Sequence, residues 1–106
     1  MARVLLNVPK TAKRGEIIEI KTLISHPMES GFRVGTNGAL IARDIIQRFA
    51  CTYNGEVIFR AELSPAIAAN PFISFFTTAT ESGRIEFSWS GDNGFSASEA
   101  ATITVE

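Results

Sequence analysis

The residues with the clearest potential for chemistry are the single histidine, His26, and the single cysteine, Cys51. A general base or a metal ligand needs partners, and the carboxylate nearest to His26 in the sequence is Glu29. The stretch His-Pro-Met-Glu forms no catalytic or ligand motif, so we expect His26 to have a structural or interface role. One cysteine and one histidine cannot complete a structural zinc site, so we predict no metal and no cofactor.

Cys51 lies in an alternating stretch, on the same predicted strand face as Phe49 and Tyr53. A catalytic thiol needs an electropositive and partly exposed setting. The alternation instead predicts a buried and unreactive thiol, with redox sensing or an intermolecular disulfide as the alternatives.

No catalytic motif is present elsewhere in the sequence. Asp92 and Glu99 both lie in the last predicted hairpin, but they are seven residues apart and make no carboxylate pair. The sequence Gly-Asp-Asn-Gly at 91–94 predicts a turn rather than a phosphate-binding loop, because no helix follows it. We therefore predict no catalytic residues and a protein that is not an enzyme.

Composition limits the class of protein. With 106 residues, 45% of them apolar, the chain is expected to form a single domain over 1–106 with one core. A formal net charge of −1 argues against a nucleic-acid binder. The first residues lack the apolar run of a signal peptide, and no stretch has the length of a membrane span. Composition alone thus predicts a soluble cytoplasmic protein.

The elements that must position these residues are strands. Ile85, Phe87 and Trp89 alternate with polar residues, and a second alternating run ends at Val105. Because the turn at 91–94 separates the two runs, they predict an antiparallel hairpin whose inner face carries Trp89. We predict that this face is buried. The predicted core residues are Phe49, Cys51, Tyr53, Phe87 and Trp89.

Five further runs predict strands at about 4–8, 16–24, 45–53, 56–63 and 71–79. Asn54-Gly55 is the strongest hairpin signal in the chain. The return strand is predicted to place Val57, Phe59, Ala61 and Leu63 on one face. About seven antiparallel strands with no helix predict an all-β, immunoglobulin-like β-sandwich. Its usual disulfide is impossible with one cysteine.

Two features of the chain predict a binding surface. Residues 25–44 contain three glycines and one proline without periodicity, which is typical of a binding loop, a lid or a disordered segment, with a short hairpin possible at Asn37-Gly38. The strand at 71–79 has Phe72 and Phe76 on one face and Phe75 on the other. Such a strand should be covered on both sides, by the second sheet and by a partner or a loop.

Several stretches together resemble the SoxZ family, the small subunit of the SoxYZ carrier in thiosulfate-oxidising systems. The stretches that carry the resemblance are Pro9-Lys10, Arg14-Gly15-Glu16, 23–33 with its His-Pro-Met-Glu-Ser-Gly core, Arg43-Asp44-Ile45-Ile46, Tyr53-Asn54-Gly55, 68–72 and 89–94. The loop at 26–31 and the Asp-Asn-Gly turn are specific in combination.

The resemblance implies an immunoglobulin-like sandwich that pairs with SoxY. SoxY carries sulfur intermediates on a cysteine of its C-terminal arm, and other Sox enzymes visit the carrier transiently. This chain would be the noncatalytic scaffold, working in the periplasm after export with SoxY and without a signal peptide of its own. This overrides the cytoplasmic prediction. The alternatives are a stand-alone immunoglobulin-like binding or adhesion module and a thiol enzyme that uses Cys51.

We expect the loop at 26–33 to lie at or beside the SoxY contact. Met28 and Phe32 would be apolar anchors, His26 and Arg33 would lie at the rim, Gly31 would bend the loop and Pro27 would stiffen it. In the alternative, Phe32 caps the core of the sandwich.

Overall fold

The computed structural model describes residues 3–106, and its regular secondary structure is almost entirely β-strand. Eight strands and one short 3-10 helix follow one another along the chain. Their bounds are β1 Val4–Asn7, β2 Thr11–Ala12, β3 Ile17–Ile24, β4 Ile46–Tyr53, β5 Glu56–Glu62, β6 Phe72–Thr78, β7 Gly83–Gly91, the 3-10 helix Asp92–Gly94, and β8 Ser96–Val105.

The strands form two sheets, a three-stranded sheet in the order β1-β3-β6 and a five-stranded sheet in the order β2-β8-β7-β4-β5. This arrangement confirms the predicted immunoglobulin-like sandwich. The prediction of about seven antiparallel strands is corrected by β2, in which Thr11 pairs in parallel with Thr104 of β8. Two residues are too few to show alternation, so the sequence indicated only a turn there.

The core lies between the inner faces of the two sheets. All five predicted core residues are at most 6% exposed. Trp89 packs on Phe49 with ring centroids 5.3 Å apart, and Phe49 reaches Phe75 of the other sheet at 6.2 Å. Tyr53 closes one end of the core by donating its hydroxyl hydrogen to the backbone carbonyl of Glu81.

A β-bulge changes the predicted face of β5. The turn at Asn54-Gly55 forms as predicted, with φ of 49° and 84°. Cys51 then pairs with Phe59 while its neighbour Thr52 pairs with Val57, so Ile58 is an extra residue. The extra residue reverses the alternation. Val57 is consequently 50% exposed. The prediction that Val57 and Phe59 share a face is therefore wrong.

The strand β6 is covered on one side only. Phe75 is 6% exposed and faces the core, whereas Phe72 and Phe76 are 60% and 66% exposed. The predicted cover from the second sheet is therefore present. No loop within residues 3–106 covers the other face of β6, which is exposed to solvent.

The whole molecule is elongated, with principal dimensions of 58 × 20 × 20 Å. Residues 25–45 connect β3 in the three-stranded sheet to β4 in the five-stranded sheet. Within the described part of the chain, no helix is long and apolar enough to cross a membrane.

Candidate functional site

The long connection between β3 and β4 folds back on itself as a narrow loop. Glu29 and Asp44 each donate a backbone N–H to the carbonyl of the other at 2.8 Å. Further out, Val34 and Leu40 form a second bridge, and Gly38 turns the chain with a φ of 81°. The hairpin predicted at Asn37-Gly38 is therefore present, at the tip of a loop whose two halves are paired.

His26 is buried at the base of this loop. It is 5% exposed, and its ring meets that of Phe95 edge-on with centroids 4.8 Å apart. The ring atom Nδ1 accepts the backbone N–H of Met28 at 3.0 Å, so the ring proton lies on Nε2, which faces Asp44 Oδ1 at 3.7 Å. Asn70 receives the His26 backbone N–H on Oδ1 at 3.0 Å. The rim position predicted for His26 is wrong, because the ring is buried and binds the loop backbone at Met28.

Met28 belongs to the core. It has a left-handed backbone with φ of 50°, is 6% exposed, and its sulfur accepts the backbone N–H of Ile46 at 3.2 Å. The reversal of the chain after Pro27 directs the Met28 side chain toward the start of β4. The anchor role predicted for Met28 at a partner surface is therefore wrong.

The other predicted interface residues lie nearer the surface. Pro27 and Arg33 are exposed, and Phe32 is 81% exposed, so Phe32 does not cap the core. Gly31 has a φ of 91°, and a Cβ there would lie 3.2 Å from Arg43 Cβ, so the loop needs glycine at this bend. The predicted role of Gly31 fits this geometry.

Arg33 is not an unpaired positive charge. Its Nε and Nη2 bind the two carboxylate oxygens of Glu29 at 3.0 and 2.6 Å. The hydrogen bonds from Arg33 lower the pKa of Glu29, and those to Glu29 raise the pKa of Arg33. Arg33 is therefore exposed, as expected for a residue at a rim, but its guanidinium is already neutralised by a carboxylate.

Asp92 joins the turn after β7 to the start of β4. Its carboxylate accepts two hydrogen bonds from Arg43 at 2.9 Å, one from Gln47 Nε2 at 2.6 Å and one from the backbone N–H of Ile45 at 3.1 Å. The hydrogen bonds from Arg43, followed by that of the Ile45 backbone and the Arg43 charge, lower the pKa of Asp92 against the opposing effect of burial. At Gly91, a Cβ would lie 2.2 Å from the Ile45 carbonyl oxygen, so this close approach requires glycine.

Sequence reasoning missed the role of Asp92 because its partners lie more than forty residues earlier. The one available signal was that Arg43 and the Asp-Asn-Gly turn both belong to the stretches that carry the family resemblance. The structure brings four of those stretches together at one end of the sandwich: 26–33, 43–46, 70–72 and 89–94.

This end of the sandwich presents a surface rather than a reactive centre. Within residues 3–106 no three His, Cys, Asp or Glu side chains are grouped so that they could hold a metal ion. Cys51 is 0% exposed, and burial raises its pKa to about 12. The loop tip instead exposes three apolar side chains, Phe32 at 81%, Val34 at 59% and Leu40 at 65%. Exposed apolar groups of this kind favour binding to another protein.

Comparison with known families finds one family model that matches residues 6–102 of the chain. Its description is Sulphur oxidation protein SoxZ. No curated protein sequence matches the chain.

Solved structures with the same fold include a superoxide reductase (neelaredoxin) from Ignicoccus hospitalis. It is 13% identical with a TM-score of 0.71 over 97% of this chain and 80% of that chain. The sulfur carrier protein SoxY from Chlorobium limicola f thiosulfatophilum is 10% identical with a TM-score of 0.67 over 97% and 78%. A third solved structure of this fold, from Thermotoga maritima, is 15% identical with a TM-score of 0.63 over 97% of this chain and 85% of that chain. At these identities the likeness shows the fold alone.

Proposed function

The chain belongs to the SoxZ family of sulphur oxidation proteins, and on that premise we propose that it is the noncatalytic scaffold subunit of a SoxYZ carrier complex. In this proposal SoxY carries the sulfur intermediates on the cysteine of its C-terminal arm. This chain binds SoxY and holds it where other Sox enzymes reach the arm.

The state of Cys51 is the observation that carries the scaffold role. A sulfur carrier needs a thiolate that its partner enzymes can reach, since the thiolate is the nucleophile. The only thiol of this chain is fully buried, and its pKa is raised to about 12. The reactive sulfur would therefore belong to another subunit, which supports a division of labour with SoxY.

The proposal includes export of the complex to the periplasm together with SoxY, as the family resemblance implies. The support for this location is the family alone. Fractionation of cells that express both subunits measures it, and the proposal expects the two chains in the same periplasmic fraction.

Co-purification with SoxY tests the pairing. We expect tagged SoxY to retain this chain through gel filtration as one complex. A chain that stays a monodisperse monomer in the presence of SoxY would contradict the proposal and favour the stand-alone binding or adhesion module.

A turnover assay tests the noncatalytic role separately. Thiosulfate-dependent turnover of a reconstituted system should be the same with the Cys51→Ala variant as with the wild-type chain, while loss of the SoxY arm cysteine should abolish it. Complete loss of turnover with folded Cys51→Ala would contradict the scaffold role and favour a thiol enzyme.

A further inference from the structure

The outer face of the three-stranded sheet is unusually apolar for a surface exposed to water. Ile17 is 71% exposed, Phe76 66%, Phe72 60% and Leu5 54%, and Leu23 is partly buried. We call this surface the β1-β3-β6 face. Single exposed apolar residues are common, but contiguous patches mark interaction sites.

The strand register groups these side chains into two apolar zones. Leu5 of β1 lies opposite Leu23 of β3, and Leu23 lies opposite Phe72 of β6. These three side chains therefore form one row across the sheet, with neighbours about 5 Å apart. At the other end of the face, Ile17 lies opposite Thr78 and diagonal to Phe76. Two apolar zones thus flank the middle of the face.

The middle of the face is polar but electrically balanced. Lys21 Nζ lies 3.7 Å from Glu19 Oε1, and the Ser74 hydroxyl donates to Glu19 Oε2 at 3.0 Å. A partner that covers these groups would bury a carboxylate that already has partners. The large free-energy penalty for burying an unpaired charge would therefore be avoided. The complementary surface is therefore apolar at its ends and carries no net charge at its centre.

A groove beside the Leu5-Leu23-Phe72 row provides a place for an anchoring side chain. Its volume is about 370 Å³, and it is lined by Arg3, Leu5, Leu23, Ser25 and Asn70. Hot-spot side chains in protein interfaces are typically aromatic or apolar groups that fill such pockets. Asn70 also binds the backbone of His26, so the groove adjoins the loop end of the sandwich.

The dimensions of the face suit a partner of the same fold. Three strands and the eight residues of β3 span about 14 by 26 Å. A standard interface of about 800 Å² per partner covers an area of this size and extends past its margins. A second β-sandwich has a twisted sheet that can pack face to face on such a surface, with the two sets of strands at about 30° to each other. The SoxY of Chlorobium limicola f thiosulfatophilum has this fold, with a TM-score of 0.67.

We infer that the β1-β3-β6 face is the surface on which a SoxY subunit packs, with one of its apolar side chains in the groove beside Leu23. This inference rests on the proposed function and adds to it the place of the contact.

The test compares variants of the face with variants of apolar residues exposed elsewhere. The face variant is Phe72→Ala/Phe76→Ala. Its matched control is Val57→Ala/Ile67→Ala, at positions 50% and 40% exposed outside the face. The affinity for SoxY is measured by calorimetry, and the thermal midpoint of each isolated chain by circular dichroism. A second face variant, Ile17→Lys, introduces a charge at the most exposed apolar position of the face.

We expect both face variants to bind SoxY at least about 30-fold more weakly, the size of a hot-spot effect, with thermal midpoints close to that of the wild-type chain. The control should bind normally. Normal SoxY binding by both face variants would overturn the inference and leave the proposed function intact.

Failure of the wild-type chain to bind SoxY would instead overturn the proposed function, and this inference with it. The face also has a second possible occupant, another copy of this chain. A wild-type homodimer that the face variants dissociate, while their SoxY affinity is unchanged, would assign the face to that copy and overturn the inference.

Discussion

Cys51 illustrates how position in a strand decides the chemistry of a thiol. Its neighbours across the sheet are Phe59 and Phe87, and its side chain has no contact with water. Because the low-dielectric surroundings disfavour the thiolate, its pKa is raised to about 12. Cys51 is therefore a small apolar core residue.

The first prediction follows from this pKa. An unfolded thiol ionises near pH 8.5, whereas the folded one stays protonated up to about pH 12. The folded state thus loses stability as the pH rises between these values, because only the unfolded state releases the proton. Denaturant melts of the wild-type chain from pH 7 to pH 10.5 should show this decline.

The Cys51→Ala variant is the control for that decline. It should lack the thiol contribution and cost on the order of 1 kcal/mol at pH 7, as expected for a small buried group. Thiol reagents should label the wild-type chain only after unfolding. Rapid labelling of the folded chain at pH 8 would contradict a buried Cys51.

Trp89 is the largest fully buried side chain. It has a large contact area in the core, but its indole N–H is unpaired. Within residues 3–106 its Nε1 finds no hydrogen-bond acceptor. We expect Trp89→Ala to cost about 3–5 kcal/mol of unfolding free energy, since it leaves a large cavity. Trp89→Phe should cost clearly less, because it keeps a ring and removes the unpaired N–H.

Denaturant melts followed by far-UV circular dichroism measure both variants, since the only Trp fluorophore is lost. A cost below about 1 kcal/mol for Trp89→Ala would place Trp89 outside the effective core. If Trp89→Phe and Trp89→Ala lost the same free energy of unfolding, this expectation about the ring and the unpaired N–H would be wrong.

At the scale of elements, Asp92 ties the turn after β7 to the first residues of β4. Its pKa is lowered in the folded state, chiefly by the hydrogen bonds from Arg43. The stabilisation is therefore present above the usual aspartate pKa, near 3.9, and is lost as the pH falls through the lower folded value.

The third prediction is that Asp92→Asn is less stable than the wild-type chain at pH 7, and that the difference narrows as the pH falls below about 4. Melts at pH 7 and pH 3 measure the two differences. The control is Glu56→Gln, which changes an exposed carboxylate that forms no salt bridge within residues 3–106. We expect it to change the free energy of unfolding by less than about 0.5 kcal/mol. A stability difference for Asp92→Asn that is equal at both pH values would contradict a charge effect.

The loop at 26–33 separates into an inner and an outer half, which single substitutions distinguish. Met28→Ala should cost about 2–5 kcal/mol of unfolding free energy, because its side chain is in the core. Phe32→Ala should change stability by less than about 0.5 kcal/mol, because the ring is exposed.

The fourth prediction concerns the binding of SoxY by this loop. If the loop tip lies at the contact, Phe32→Ala should weaken SoxY binding by roughly 2 kcal/mol. Thermal melts and binding titrations on the same samples separate the two effects. Normal SoxY binding by Phe32→Ala would place the tip outside the contact.

At the scale of the whole molecule, the sequence predicted what repeats along a strand. The alternation around Phe87 and Trp89 and the turns at Asn54-Gly55 and 91–94 were sufficient for two hairpins, the core and the sandwich. Each of these features depends on residues close together in the chain, so the pattern is visible without the fold.

The features that the sequence did not predict depend on contacts between distant residues. The parallel pairing of Thr11 with Thr104, the extra residue Ile58 and the partners of Asp92 have no local pattern. The burial of Met28 was missed because a left-handed residue inside an irregular loop directs its side chain without periodicity. The candidate site was thus proposed from the resemblance, and its geometry comes from the structure.

The pairing of β2 with β8 also determines when the five-stranded sheet can be completed during synthesis. Ala12 emerges from the ribosome early, but its partner Val105 is made more than ninety residues later. The edge of the five-stranded sheet therefore stays open until β8 has been translated, and pairing over such distances is slow. During that interval the apolar strands are exposed to aggregation, so the nascent chain is expected to depend on chaperones until β8 closes the sheet.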